Sequence, residues 1–260
     1  MGSQAMQAKL WGQQPKDWAT IQEPTVKSCY EYALDFIKLK PTDKLLDVGC
    51  GTGFFISLAA KSGADITGFD ATAPFIEEAK RRNPSAKFFT GEMEELPFAD
   101  NSFDVVTGFN SFQYAADVKN ALNEAKRVLK NKGKLVAMIW GEKEDCEATS
   151  YLKAVGSLLP PPPPGAPGPF ALTENHLLET ILEGMGLKVL DSADVDCIWD
   201  YPDVETAMKG LLSAGPAAKA IENSGYEKAY QTTLEAAKPY IKSNGHVIYK
   251  NKFRVVISEK

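Results

Sequence analysis

An α/β fold with a mostly parallel sheet is the architecture this sequence predicts, on three observations. Short apolar runs recur at 45–48, 65–69, 87–90, 103–108 and 134–140, each with the length and composition of a buried strand. Segments of helical period separate most of them, the alternation expected of a parallel sheet. The first run ends in Gly49-Cys50-Gly51-Thr52-Gly53, and Phe54 to Lys61 after it again have helical character. Strand, glycine turn and helix form the opening of a nucleotide-binding unit, in which glycines permit a tight turn and a close-lying ligand.

Taken in order, the chain begins with Trp11, Trp18, Ile21 and Gln22 in an otherwise polar stretch. Two tryptophans this close need a surface to pack on, and two readings stand: an anchor for the N-terminal segment, or a lid over bound cofactor. Pro24 opens a helix in which Val26, Cys29, Tyr30, Ala33, Phe36 and Ile37 keep the helical period, and Lys40-Pro41 ends it. Leu45 to Val48 is the first strand, and the helix after the glycine turn stops at Ser62-Gly63. Asp65 to Phe69 is the second strand and ends in Asp70. Pro74 starts a helix lined by Phe75, Ile76 and Ala79, stopped by Asn83-Pro84, with Lys80-Arg81-Arg82 placed to meet its dipole. Lys87 to Thr90 is the third strand, Phe103 to Gly108 the fourth, and Ala116 to Lys130 an amphipathic helix closed by Asn131-Lys132-Gly133. Lys134 to Trp140 is the fifth strand; Trp140 reads equally as core or as pocket wall.

Pro160 to Pro164 favour an extended left-handed helix, read as a rigid strap across a pocket mouth, with a surface loop or a partner-binding segment as alternatives. It lies between helix-like Tyr151–Leu159 and helix-like Thr173–Glu183. Thr173 looks like the N-cap of the latter, with His176 in its first turn. Leu187 to Trp199 and Phe253 to Ile257 complete the strands, and the helices between them break at Gly215-Pro216 and Gly225.

The glycine turn favours one kind of cofactor. Asp70, about twenty residues past the turn, is placed to accept hydrogen bonds from both hydroxyls of an adenosine ribose. The dinucleotide fingerprint is G-x-G-x-x-G, with a helix N-terminus aimed at a pyrophosphate. This chain has Asp47-x-Gly49-x-Gly51-x-Gly53 instead. A carboxylate two residues before the first glycine repels a pyrophosphate and suits a cationic amine, which points to S-adenosyl-L-methionine over NAD.

The residues LLDVGCGTG, Asp70, FDVV and EAKRVLKNKGKL resemble the class I S-adenosylmethionine-dependent methyltransferases. The similarity is to the small-molecule, type 11 branch that includes ubiquinone/menaquinone-biosynthesis-like enzymes. It is strong over roughly residues 40 to 140, and the flanks resemble a bacterial subgroup of that branch. The resemblance implies a Rossmann-like, seven-stranded, mostly parallel sheet with an antiparallel last strand, helices on both faces and a helical lid. Residues 1–40 would be an N-terminal helical lid segment and 41–260 the methyltransferase domain, with lid insertions at about 143–172 and 203–243. It also implies a cofactor site of Asp47, Gly49, Cys50, Gly51, Gly53, Asp70, Ala71, Glu92, Met93 and Phe109, with Trp18 closing over it. Glu92 would accept from the adenine amine and Met93 pack on the ring; a solvated acidic loop is the alternative for that pair. The product would be S-adenosyl-L-homocysteine.

The acceptor belongs beside Phe109-Asn110-Ser111-Phe112-Gln113-Tyr114, because ligands bind outside the carboxyl ends of strands in open α/β sheets. Asn110, Gln113 and Tyr114 are the candidates to position it, and the aromatics the candidates for an apolar wall. Phe109 and Phe112 read also as core. Methyltransferases of amide or base nitrogens usually carry (Asp/Asn)-Pro-Pro-(Tyr/Phe) here, and Asn110-Ser111-Phe112-Gln113 departs from it. A sulfonium-bound methyl group is already activated, so orientation and exclusion of water can supply much of the catalysis. If a base is used, His176 is the candidate; His246, in a turn before the last strand, reads as structural.

Bulk properties narrow the classes. With 260 residues and 44% hydrophobic composition, one core with a lid is the default. The net charge of −5 and the absence of a long basic run weigh against nucleic-acid binding. No apolar run reaches the length of a membrane span and no signal peptide is visible, so a cytoplasmic protein with a small-molecule acceptor is expected. Cys29, Cys50, Cys146 and Cys197 lack metal or disulfide spacing, and no metal is expected. The competing classes are an NAD(P) oxidoreductase and a non-catalytic cofactor- or partner-binding protein.

Overall fold

The computed structural model describes residues 2–161 and 168–260. The chain opens with α1 (Gln4–Trp11), a single turn α2 (Pro15–Asp17), a π-helical turn (Trp18–Gln22) and a 3-10 turn (Glu23–Val26) that runs into α3 (Lys27–Ile37). The alternating unit follows: β1 (Lys44–Val48), α4 (Phe54–Ala59), β2 (Asp65–Asp70), α5 (Ala73–Arg82), β3 (Lys87–Thr90), β4 (Phe103–Phe109), α6 (Val118–Val128) and β5 (Leu129–Trp140). Then come α7 (Thr149–Gly156), α8 (Leu177–Gly184), β6 (Lys188–Tyr201), three helices α9 (Val204–Leu212), α10 (Gly215–Ser224) and α11 (Tyr226–Ala237), and β7 (Val247–Glu259). The strands form one seven-stranded sheet in the order β3-β2-β1-β4-β5-β7-β6. β1 to β5 pair in parallel, and β7 enters antiparallel to both of its neighbours.

Strand alternation divides the core between the two faces. Leu45, Val105, Val136 and Met138 pack on one side with α3, α4 and residues of α7 and α9 to α11. Leu46, Val48, Val106, Leu135 and Ala137 pack on the other with α6 and α8. Helices therefore cover both faces, as the central strands, apolar on both sides, require. Strand order reverses at β1, which pairs with β2 on one side and β4 on the other. That switch point lies at the carboxyl ends of the two strands bearing the glycine turn and Asn110.

Some boundaries differ from the sequence reading, for local reasons. The helix expected to run to Lys130 ends at Val128, because Leu129 already pairs with Phe103 in the sheet. β7 begins at Val247, six residues ahead of the apolar run at Phe253. Its polar Asn251 is 2% exposed and accepts the Ala148 N–H at 2.9 Å, so a polar residue sits inside a buried strand. Thr173 caps nothing: its hydroxyl donates to the Trp140 carbonyl, Asn175 and His176 take left-handed backbone, and α8 starts only at Leu177. α1 carries no apolar period visible in the sequence and forms over other parts of the fold, with Trp11 against Gly215 and Lys9 2.8 Å from Glu222. Residues 162–167, most of the expected proline strap, lie outside the described residues. Among those described, no helix is long and apolar enough to cross a membrane.

Candidate active site

The glycine turn is built from three left-handed glycines, Gly49, Gly51 and Gly53, with φ of 74°, 54° and 80°. All three are also places of close approach, Gly53 to Asn83 and Ala79. A Cβ on Gly49 would run into the Ser111 side chain, whose hydroxyl donates to the Val48 carbonyl at 2.7 Å and so ties the ends of β1 and β4 together. A Cβ on Gly51 would lie 2.8 Å from Glu23 Oε1. Only glycine supplies both the backbone angle and the space.

Asp70 stands where the sequence places it, at the end of β2. Its Oδ2 accepts the Gly51 N–H at 2.9 Å and its Oδ1 the Thr72 N–H at 2.8 Å, and it lines the cavity beyond the turn. Burial pushes its carboxyl up to about 6, against those two hydrogen bonds. Asp47 lies beneath the turn, on the α3–α4 side of β1, where the Thr107 hydroxyl donates to it at 2.7 Å. Burial first, and then the charges of Glu23 and Asp70, push it up to about 7. It does not line the cavity, so its influence is that of a buried charge beside the turn.

Glu23 was not singled out by sequence reasoning. It is 4% exposed, and its Oε1 accepts the Thr52 N–H at 2.8 Å. Its Oε2 takes the Thr52 hydroxyl and, at 2.6 Å, Arg82 Nη1. Arg82 also donates to the carbonyls of Ala19 at 2.8 Å and Thr52 at 3.1 Å. The arginine assigned to the end of α5 thus reaches across to the N-terminal segment and the glycine turn. Sequence spacing could not have joined residues 23, 52 and 82; the one signal was an acid immediately before Pro24.

The cavity runs from the glycine turn to the helices α7, α9 and α10. At the turn end it is lined by Gly49, Gly51, Asp70, Ala71, Met93 and Phe109, and roofed by Trp18 and Phe75 stacked at 6.0 Å. Trp18 meets Trp11 edge-on at 4.9 Å, and its indole Nε1 is buried without a partner among the described residues. At the far end the wall is aromatic and aliphatic: Tyr30, Trp140, Tyr151, Trp199, Leu211 and Phe253. Trp140 is both core and wall, 5% exposed and stacked on Phe253 at 4.5 Å. Phe109 is likewise both, packed 4.5 Å from Phe55. Phe112 is fully buried and belongs to the core alone.

Besides Asp47, five expected residues do not line this cavity. Glu92 has its oxygens taken by the N–H groups of Gln4 and Glu94, at 2.8 and 3.2 Å, so it caps α1 instead of facing an adenine amine. Cys50 is 4% exposed and packs into the core, where burial pushes its thiol up. Gly53 caps α4, its carbonyl accepting from Asn83 at 2.9 Å. Gln113 stands behind Asn110, donating to its Oδ1. His176 is off the site: its side chain is 70% exposed, with Nδ1 3.3 Å from Glu179 and 3.5 Å from Arg254. Left-handed backbone at His176 turns it to that outer network. Asn110 and Tyr114 do line the cavity. Asn110 takes left-handed backbone (φ 54°), which Asn tolerates better than most residues, and its N–H donates to Met138 at 2.8 Å. Burial pushes the Tyr114 phenol up to about 12, which leaves it a donor at neutral pH.

The donor set suits an adenosine-bearing cation. Three buried carboxylates, Glu23, Asp47 and Asp70, surround the turn, and Arg82 is paired to the first of them. Gly51, Ala71 and Met93 line the cavity beside Asp70. Among the described residues no group of His, Cys, Asp and Glu is arranged to hold a metal ion.

The Rossmann-like sheet is of the kind found in solved methyltransferase structures. Residues 46–137 match the family described as "Methyltransferase domain", of type 11. Over 103 residues the chain is 39% identical to demethylmenaquinone methyltransferase of Renibacterium salmoninarum, covering 40% of this chain and 44% of that one. A longer match, 26% identical over 189 residues, covers 73% of this chain and 68% of malonyl-[acyl-carrier protein] O-methyltransferase of Erwinia pyrifoliae. Among solved structures, geranyl diphosphate C-methyltransferase of Streptomyces coelicolor A3(2), in complex with Mg²⁺, geranyl diphosphate and S-adenosyl-L-homocysteine, shares the fold. Its TM-score is 0.59 at 14% identity, covering 99% of this chain and 97% of that one. The chain spans less than half the length of the first of these relatives.

Proposed function

We propose that the protein is an S-adenosylmethionine-dependent methyltransferase acting on a small, partly apolar acceptor by in-line displacement. One observation carries the reading: the glycine turn with Asp70 and the aromatic far wall belong to a single continuous cavity. Bound S-adenosylmethionine supplies a methyl group already activated by its sulfonium leaving group. The chain's own residues then bind, orient and exclude water. Asp70 accepts from the ribose hydroxyls, with lone pairs left beyond its two backbone donors. Met93, Ala71 and Phe109 pack on the adenosine, and Trp18 and Trp11 shut water out from above. Asn110, with its Oδ1 engaged by Gln113, has its amide N–H groups to offer the acceptor. Tyr114 adds a second donor; neither it nor His176 is available as a base in this cavity.

The acceptor end supports a neutral, apolar molecule. Among the described residues that line the cavity, Glu23 and Asp70 are the charged ones, and both stand at the glycine turn. No cation is present there to hold a carboxylate or a diphosphate. The name of the Renibacterium relative, with its quinone acceptor, is consistent with such a molecule. The same three carboxylates would repel the pyrophosphate of NAD(P), which weighs against a dehydrogenase.

Titration calorimetry with S-adenosylmethionine, S-adenosylhomocysteine and NADH tests the cofactor: binding of NADH and of neither sulfur nucleoside would overturn the reading. A labelled-methyl screen over quinols, flavonoids and polyketide-like phenols addresses the acceptor. With a substrate in hand, Asn110→Ala should lower turnover roughly tenfold or more while leaving cofactor affinity within about twofold. Equal loss of both would remove Asn110 from the acceptor side.

A further inference from the structure

Glu23 lines the cavity at the glycine turn and entered the reading above only as one of three carboxylates; Arg82, which does not line the cavity, pairs with it at 2.6 Å and has had no part so far. Glu23 belongs to the N-terminal segment, 29 residues before its backbone partner Thr52 and 59 before Arg82. It is 4% exposed, and Arg82 is 26% exposed at its side chain, with the guanidinium 5.6 Å from the Phe54 ring centroid. The carboxylate lies against Gly51, which lines the cavity at the turn. Glu23 therefore does two things at once. It fastens the N-terminal segment to the turn through Thr52, and it cancels a guanidinium charge held beside the site. With the pair intact, Asp47 and Asp70 act on a ligand without an opposing cation.

We infer that Glu23 is a positioning residue that biases this site toward the cationic methyl donor over its product. The inference rests on the proposed use of S-adenosylmethionine. The donor and S-adenosylhomocysteine differ by one methyl group and one positive charge. An uncancelled guanidinium at the turn therefore disfavours the first much more than the second. Glu23→Gln keeps the shape and the acceptor for the Thr52 N–H, and leaves Arg82 unpaired. Burial pushes the Glu23 carboxyl up, and Arg82 is among the groups that oppose this, so Arg82→Gln leaves an uncancelled Glu23 charge only at alkaline pH. A role limited to fastening the segment would weaken both ligands alike.

The experiment is calorimetric titration of the full chain with each ligand, in wild type, Glu23→Gln, Arg82→Gln and the double variant, at low salt and alkaline pH, where Glu23 is ionised with or without its partner. The expected result is a ratio of Kd for S-adenosylmethionine to Kd for S-adenosylhomocysteine that rises on the order of tenfold in Glu23→Gln. The ratio should fall in Arg82→Gln and return toward wild type in the double variant. If Glu23→Gln does not fold, the opposite shift in Arg82→Gln decides the question. Equal weakening of both ligands in every variant, or an unchanged ratio in Arg82→Gln, overturns the inference and leaves the proposed function standing. Failure of wild type to bind either ligand overturns both.

Discussion

Replacing Gly51 with alanine tests the construction of the site at its tightest point. Two costs add. The residue holds φ at 54°, a conformation that costs an L-residue about 1 kcal/mol. The new methyl carbon would also stand 2.8 Å from Glu23 Oε1 and 3.5 Å from Trp18 Nε1. Glu23 cannot yield freely, because Thr52 and Arg82 hold both of its oxygens. Overpacking of this kind costs about 1–3 kcal/mol. The sum, about 2–4 kcal/mol, corresponds to a loss of about 5–15 °C in Tm for a chain of this size. Affinity for S-adenosylhomocysteine should fall on the order of tenfold or more, since relief of the clash displaces either Glu23 or the ligand. Gly184→Ala is the control: its Cβ would meet nothing within 4 Å, at a helical position where alanine is favoured by up to about 1 kcal/mol. Thermal melts and calorimetry on the two variants settle the comparison. A Gly51→Ala protein that melts with wild type and binds the ligand equally well would refute both the clash and the site.

Three further outcomes follow from the same geometry. Asp47 and Asp70 titrate near 7 and 6 in the folded chain, above the ordinary carboxylate range, so the folded state binds protons between about pH 4 and 7 that the unfolded state has released. Stability without ligand should therefore decline by a few kcal/mol as pH rises from about 5 to 8, while affinity for a cationic donor climbs over about pH 6 to 8 with proton release. Donor affinity that falls across that range would contradict the charge assignment. Arg254 is 6% exposed at its side chain and pairs with Asp194 at 2.8 Å and Glu142 at 3.1 Å; Arg254→Ala should cost about 3 kcal/mol in a denaturant titration, as loss of one partner of a buried network does. His176→Ala, at an exposed side chain outside the cavity, should stay within about 0.5 kcal/mol of wild type and keep full turnover; a large loss of turnover would return His176 to the site.

How much of this was legible depends on the range of the interactions concerned. The order and type of the strands from β1 to β5, the glycine turn, Asp70 and the placing of Asn110 at a strand end follow from local pattern. Apolar runs, glycine spacing and a fixed offset between the turn and the next strand are short-range features that sequence displays directly. β6 and β7 were recognised but cut short, since polar residues such as Asn251 are tolerated inside a strand once a backbone partner is supplied from elsewhere. The helical nature of residues 4–11 had no periodic signal, because α1 is held by Trp11 on Gly215 and by Glu92 capping its start.

Thus the sequence alone determined the class of sheet, the glycine turn and the acid that ends the next strand, because those depend on residues near one another in the chain. Only the tertiary structure decided which side chains face the cavity. It left Glu92, Gln113 and His176 outside the cavity lining, each with a partner elsewhere. It also brought in Glu23 and Arg82, whose pairing across 59 residues exists only when the N-terminal segment lies on the glycine turn. Charge balance in a buried site is a property of groups gathered by folding, and no spacing rule along the chain encodes it.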